Sequence, residues 1–168
     1  MKLKHSITLR ATRQQIFEAM KSSEFFKEVE DELDQVSSIR LVSLDDLPDG
    51  RIRRTVRYTA PTQLPRFLKR YEDKAPDEIH WDEITDLDPE RGHMRFEIRP
   101  DAPGHWHEKY ENEGHIYIRE KANGTSEVER TLEYSVSFPG MGFVLERALR
   151  PEIDAILTAQ DRVLQRRF

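Results

Sequence analysis

The chain contains no cysteine among its 168 residues. That excludes a disulfide framework, a thiol nucleophile and a zinc–thiolate site. Long hydrophobic runs are also lacking, and no stretch approaches the ~18 apolar residues that a membrane-spanning helix needs. The first ten residues carry no apolar segment of the secretory kind, so no leader is expected. Positive charge is not in excess: 27 Lys and Arg face 32 Asp and Glu, a net charge of −5. This mildly acidic balance argues against nucleic acid as a partner, and a cytoplasmic location is the expectation. Glycine is sparse, at seven residues. No Gly-rich phosphate loop, nucleophile elbow or H-E-x-x-H motif occurs. No cofactor or metal is expected, and no motif marks the chain as an enzyme.

What is present is charge in regular alternation. Charged residues make up 35% of the chain and apolar residues 36%, so the interior is economical and most charge must lie on an outer surface. The length fits one domain, residues 1–168, large enough to bury a core. Leu3, His5, Ile7 and Leu9 alternate with polar residues, which predicts a strand with one buried face. Thr12 can cap a helix carrying Ile16, Phe17 and Met20. Ser22 or Ser23 can cap a second, with Phe25, Phe26, Val29 and Leu33.

From Val36 the period is two for about a hundred residues. Strands are expected over Val36–Leu44, Arg51–Thr59, Glu78–Leu87, Gly92–Arg99, Trp106–Arg119 and Ser126–Phe138. Their turns fall at Pro48-Asp49-Gly50, Asp88-Pro89 and Asn123-Gly124. Gly140 opens a long amphipathic helix that includes Leu145, Leu149, Ile153, Ile156, Leu157, Val163 and Leu164. Pro151 lies inside it and should kink it. Gln63–Ala75 breaks the strand pattern and reads as a short helical insert.

The order strand, two helices, six strands, long helix resembles the helix-grip fold of the START-like (SRPBCC) superfamily. Several residues resemble an uncharacterised bacterial branch. They are Leu64-Pro65-Arg66-Phe67-Leu68, Trp81, Pro103-Gly104, Gly114 inside a strand, and Phe138-Pro139-Gly140-Met141-Gly142 before the last helix. The resemblance implies an α+β fold: a curved seven-stranded antiparallel sheet wrapped around a long C-terminal helix, with two short helices after strand 1. It also implies a hydrophobic small molecule, a lipid or acyl compound, held between sheet and helix. The superfamily supplies precedent for one alternative, a cyclase or dehydratase type of enzyme; a protein interaction module with a packed interior and no cavity is another.

Alternation assigns the inward face. Arg54 and Tyr58 share it on one strand, Trp81 and Glu83 on the next, and Phe96 on the third. Trp106, Glu108 and Tyr110 follow, then Arg130 and Tyr134. With Leu149 and Ile153 from the last helix, these residues are the candidate ligand site. Arg54 and Arg130 would recognise an anionic group on the ligand, and the inward charges need partners wherever they are buried. Counting around the turns places Glu83 opposite Phe96, and Phe96 opposite Glu108. Under the enzyme alternative, Glu83, Glu108 or Tyr110 would transfer protons. Leu64, Phe67 and Leu68, beside Arg66, Lys69 and Arg70, could touch an anionic membrane surface or cap the sheet. His105 and His107 are expected to be exposed, and His5 to be a hydrogen-bonded core histidine.

Overall fold

The computed structural model describes residues 1–63, 66, 69–70, 73, 75–101 and 108–168. Strand β1 spans Lys2–Leu9, followed by helices α1 (Arg13–Lys21) and α2 (Ser23–Asp31). Thr12 starts α1 with a capping box: its side chain accepts from Gln15 N–H, and Gln15 bonds back to Thr12 N–H. Ser22 ends α1 and caps α2 by accepting from Phe25 N–H, which makes the tight turn between them. Strands β2 (Ser38–Asp46), β3 (Ile52–Pro61), β4 (Glu78–Asp88), β5 (His93–Asp101), β6 (Tyr110–Glu120) and β7 (Ser126–Val136) lead to α3 (Gly142–Arg167).

All strand pairs are antiparallel, in the order β1-β7-β6-β5-β4-β3-β2. The first strand therefore pairs with the last, and the expected helix-grip architecture is present. The convex face carries the charge as cross-strand pairs. Arg53 meets Asp86 at 2.7 and 2.9 Å, Arg57 meets Asp82 at 2.8 Å twice, and Arg95 meets Glu113 at 2.6 Å. The concave face buries Val56, Leu87, Met94, Ile116 and Leu132 against Met20, Phe26, Val163 and Leu164. Each such side chain contributes roughly 1.5–3 kcal/mol by leaving water.

Helix α3 stays helical through Pro151, where the sequence predicts a kink. It packs on β7, β1 and α2. Its second half buries Leu157, Ala159, Gln160, Asp161, Val163 and Leu164, whereas no residue of 142–156 is fully buried.

The sheet forks at one end. The β5–β6 ladder holds only from His93 opposite Tyr117 to Phe96 opposite Gly114. Beyond it, β5 stays with β4 and β6 stays with β7. The Asn112 side chain fills the first missing rung: it accepts from Ile98 N–H at 2.6 Å and donates to Ile98 O at 2.7 Å. Two residues on, at the same edge of β5, Pro100 has no N–H to continue a ladder. The vertex is Phe96 on Gly114, where a Cβ would stand 2.1 Å from Phe96 Cζ.

Three expectations change. Glu83 faces Ile98, and Phe96 faces Thr85 and Gly114. The first slip is two residues, because four residues, 89–92, separate paired Asp88 from His93; an even slip preserves the face. Second, the strand expected from Trp106 begins at Tyr110, and Glu108 sits exposed in a turn before it rather than inward. Third, Leu149 is 38% exposed rather than enclosed. Trp106, His105, His107, Leu64, Phe67, Leu68 and Tyr71 lie outside the described residues.

Candidate functional site

The inward charges of the sheet meet one another. Arg54 is 1% exposed and donates from Nη1 to Met20 O at 2.6 Å, and from Nη2 to Glu83 at 2.5 Å and Thr85 at 2.9 Å. Its guanidinium also lies 4.9 Å from the Phe26 ring centroid. The Tyr58 hydroxyl donates weakly to the other Glu83 oxygen, at 3.4 Å, and accepts from Gln160 Nε2 at 3.1 Å. Gln160 Oε1 in turn accepts from Arg130 Nη1 at 2.5 Å. Arg130 Nε stands 2.8 Å from Asp161 Oδ1, a charge contact without hydrogen-bond alignment. Asp161 Oδ2 lies 3.1 Å from His5 Nδ1, and His5 Nε2 lies 2.8 Å from Asp154 Oδ1 at the surface. His5 is thus the hydrogen-bonded histidine that the sequence predicts.

One polar chain therefore crosses the concave face, from Asp154 through Gln160 to Arg54. Each buried arginine faces a buried carboxylate, Arg54 with Glu83 and Arg130 with Asp161. Among the described residues, Arg130 Nη2 is buried with no hydrogen-bond partner. Burial, with the Glu83 charge second, pushes the Tyr58 phenol well above its ordinary pKa. Tyr58 and Tyr134 stay protonated donors at neutral pH. The Tyr134 phenol, raised chiefly by burial, donates to Glu146 O on α3 at 2.9 Å.

Above this chain the surface is apolar and partly open. Trp81 stacks on Tyr58 with centroids 5.3 Å apart and planes 8° from parallel. Tyr110 and Tyr134 approach to 6.3 Å. Trp81, Ile98, Tyr110, Ile153 and Ile156 are only partly buried. On the first half of α3, Phe143 is 65% exposed and Val144 44%, while Ile79 on β4 is 43% exposed. Polar tethers hold this half of the helix. Glu146 accepts from Val136 N–H at 3.0 Å, and His5 reaches Asp154.

Of the sequence-derived candidates, Arg54, Tyr58, Glu83 and Arg130 belong to the chain, and Trp81, Tyr110, Tyr134 and Ile153 to the apolar surface above it. Phe96 packs into the core on Gly114. Glu108 and Leu149 stand apart, and Trp106 is outside the described residues. Sequence reasoning missed Gln160 and Asp161. Their signal was available: two polar residues on the helical face between Leu157 and Val163. Elsewhere, His93 Nε2 lies 3.0 Å from His115 Nδ1, and no group of three metal-ligating side chains occurs among the described residues.

This arrangement, a long helix gripped by a curved antiparallel sheet, is the helix-grip fold. The chain belongs to DUF2505, a family described as a protein of unknown function, whose model matches residues 4–167. Solved structures share the fold. TTHA0849 from Thermus thermophilus aligns with a TM-score of 0.62 and 15% identity, covering 98% of this chain and 97% of its own. An aromatase/cyclase, ZhuI from Streptomyces sp. R1128, gives 0.58 and 14%, covering 96% and 94%. Ara h 8.0201 gives 0.55 and 13%, covering 98% and 97%. No curated protein matches the chain in sequence.

Proposed function

We propose that this protein binds and carries a hydrophobic small molecule, a lipid or acyl compound, between the sheet and the first half of α3. The observation that carries this reading is the uneven burial of α3. Its second half is packed, while its first half and, on the sheet, Trp81, Ile98 and Tyr110 keep apolar surface in water. Covering such surface with a ligand contributes roughly 25 cal/mol per Å² before association costs. Helix movement about Pro151 admits the ligand, because polar tethers rather than packing hold the segment before it. Leu64, Phe67 and Leu68 form the proposed contact with an anionic membrane surface, and cytoplasmic residence goes with this reading. No helix among the described residues is long and apolar enough to cross a membrane.

The cyclase or dehydratase alternative has less support. Glu108 is exposed, and burial pushes the Tyr110 phenol far up, so it remains protonated. Only Glu83 is left as a base, and Arg54 already holds it in an ion pair.

Native mass spectrometry of the protein purified from its own organism, followed by organic extraction, tests the proposal. A discrete added mass that releases a lipid or acyl compound is expected. A clean unliganded mass, together with no uptake of a dansylated fatty acid or N-phenylnaphthylamine, overturns it. Turnover of a bound compound that disappears in Glu83→Gln favours the enzyme instead.

A further inference from the structure

The polar chain beneath the apolar surface constrains the head of any ligand. Its buried charges cancel in pairs, Arg54 with Glu83 and Arg130 with Asp161, at 2.5 and 2.8 Å. Of Arg54, Tyr58, Glu83 and Arg130, Glu83 is the most open, and its Oε2 is held only at 3.4 Å by Tyr58. At the other end of the Tyr58–Gln160 link, Arg130 Nη2 is an unused donor. The floor thus offers unused donors, Arg130 Nη2 and Arg54 Nε, and underused acceptors, Glu83 Oε2 and Asp161 Oδ1, with no net charge.

We infer that the ligand ends in a neutral hydroxyl or similar donor–acceptor group, not in a carboxylate or phosphate. This inference rests on the proposed hydrophobic site and names the class of ligand it takes. The physical reason is desolvation. An anionic head brought to this floor would be a third buried anion beside two closed pairs, with no cation left to balance it. A hydroxyl accepts from Arg130 Nη2 or donates to Glu83 Oε2 and completes bonds that are now open. Arg54 and Arg130, which the sequence singles out as anion receptors, are neutralised by their own carboxylates. Arg147 and Arg150 lie on the exposed half of α3 in water, where they affect encounter more than burial.

The experiment is displacement of N-phenylnaphthylamine from the intact chain by matched pairs, decanol against decanoate and naphthol against naphthoate. Near neutral pH both acids are ionised and both hydroxyl compounds are neutral. The neutral member of each pair should displace the probe at a concentration about tenfold lower. In Asp161→Asn the charge on Arg130 is released, and the order should reverse toward the anions. Equal or tighter binding of the anions to the unaltered protein overturns the inference but leaves the hydrophobic site standing. So does a neutral preference that survives unchanged in Asp161→Asn. If Asp161→Asn fails to fold, the comparison in the unaltered protein decides alone. Absence of any probe binding overturns both this inference and the proposed function.

Discussion

Gln160 of α3 donates to the Tyr58 hydroxyl of β3 across 3.1 Å, and this bond joins two otherwise separate ion pairs. Helix α3 packs on β7, β1 and α2, so the link carries its influence across the sheet to β3. Gln160→Leu should cost about 1–3 kcal/mol, because it leaves Arg130 Nη1 without a partner in the interior and the Tyr58 hydroxyl with only its weak bond to Glu83. Urea unfolding of Gln160→Leu, Tyr58→Phe and the double variant would show coupling of about 0.5–3 kcal/mol. Strict additivity would mean that the link carries no energy.

Arg54 and Glu83 are costly to separate and cheap to replace together. Arg54→Met alone should lose about 3–5 kcal/mol, because Glu83 then remains a buried charge without its cation. Adding Glu83→Leu should recover most of that loss. A double variant no more stable than Arg54→Met would mean that the site cannot repack around apolar side chains.

Gly114→Ala tests the vertex of the fork. A Cβ there would collide with the Phe96 ring, whose nearest three atoms lie 2.1–2.4 Å away. The expected cost is about 1–3 kcal/mol. Phe96→Leu in the same chain should relieve part of it, so the two thermal shifts combine to less than their sum.

Stability should fall as pH drops below the ordinary histidine value of 6.5. Desolvation, with the neighbouring His115 second, holds the His93 pKa below that value, while Asp88 opposes and Arg91 assists the shift. Between the folded and unfolded pKa values the unfolded chain binds more protons, so stability rises with pH across that window and is lost going down through it. His93→Gln should flatten the urea midpoint between pH 6.5 and the onset of carboxylate titration. An unchanged slope would mean that His93 does not carry the dependence.

Much of the fold was legible because its cues are local. Thr12 and Ser22 cap where their side chains can reach the next N–H groups, and alternation put Arg54, Glu83 and Arg130 on the concave face. The register of Glu83 was misread by two residues without harm, since an even slip keeps the face. Glu108 was misread outright, because alternation was carried past the true start of β6 at Tyr110. The fork had one sequence cue, Pro100 just past the expected strand Gly92–Arg99, but nothing local said which neighbour β5 would leave.

Local patterning along the chain was enough to set the element order and the buried and solvated faces of the strands, because period, capping and turn chemistry act over a few residues. Only the tertiary structure decided what the inward charges meet. Arg130 finds Asp161, thirty-one positions along the chain, and Tyr58 finds Gln160, more than a hundred positions away. Alternation fixes the direction of a side chain but not its partner, and a partner depends on strand pairing and helix docking that only the assembled chain creates.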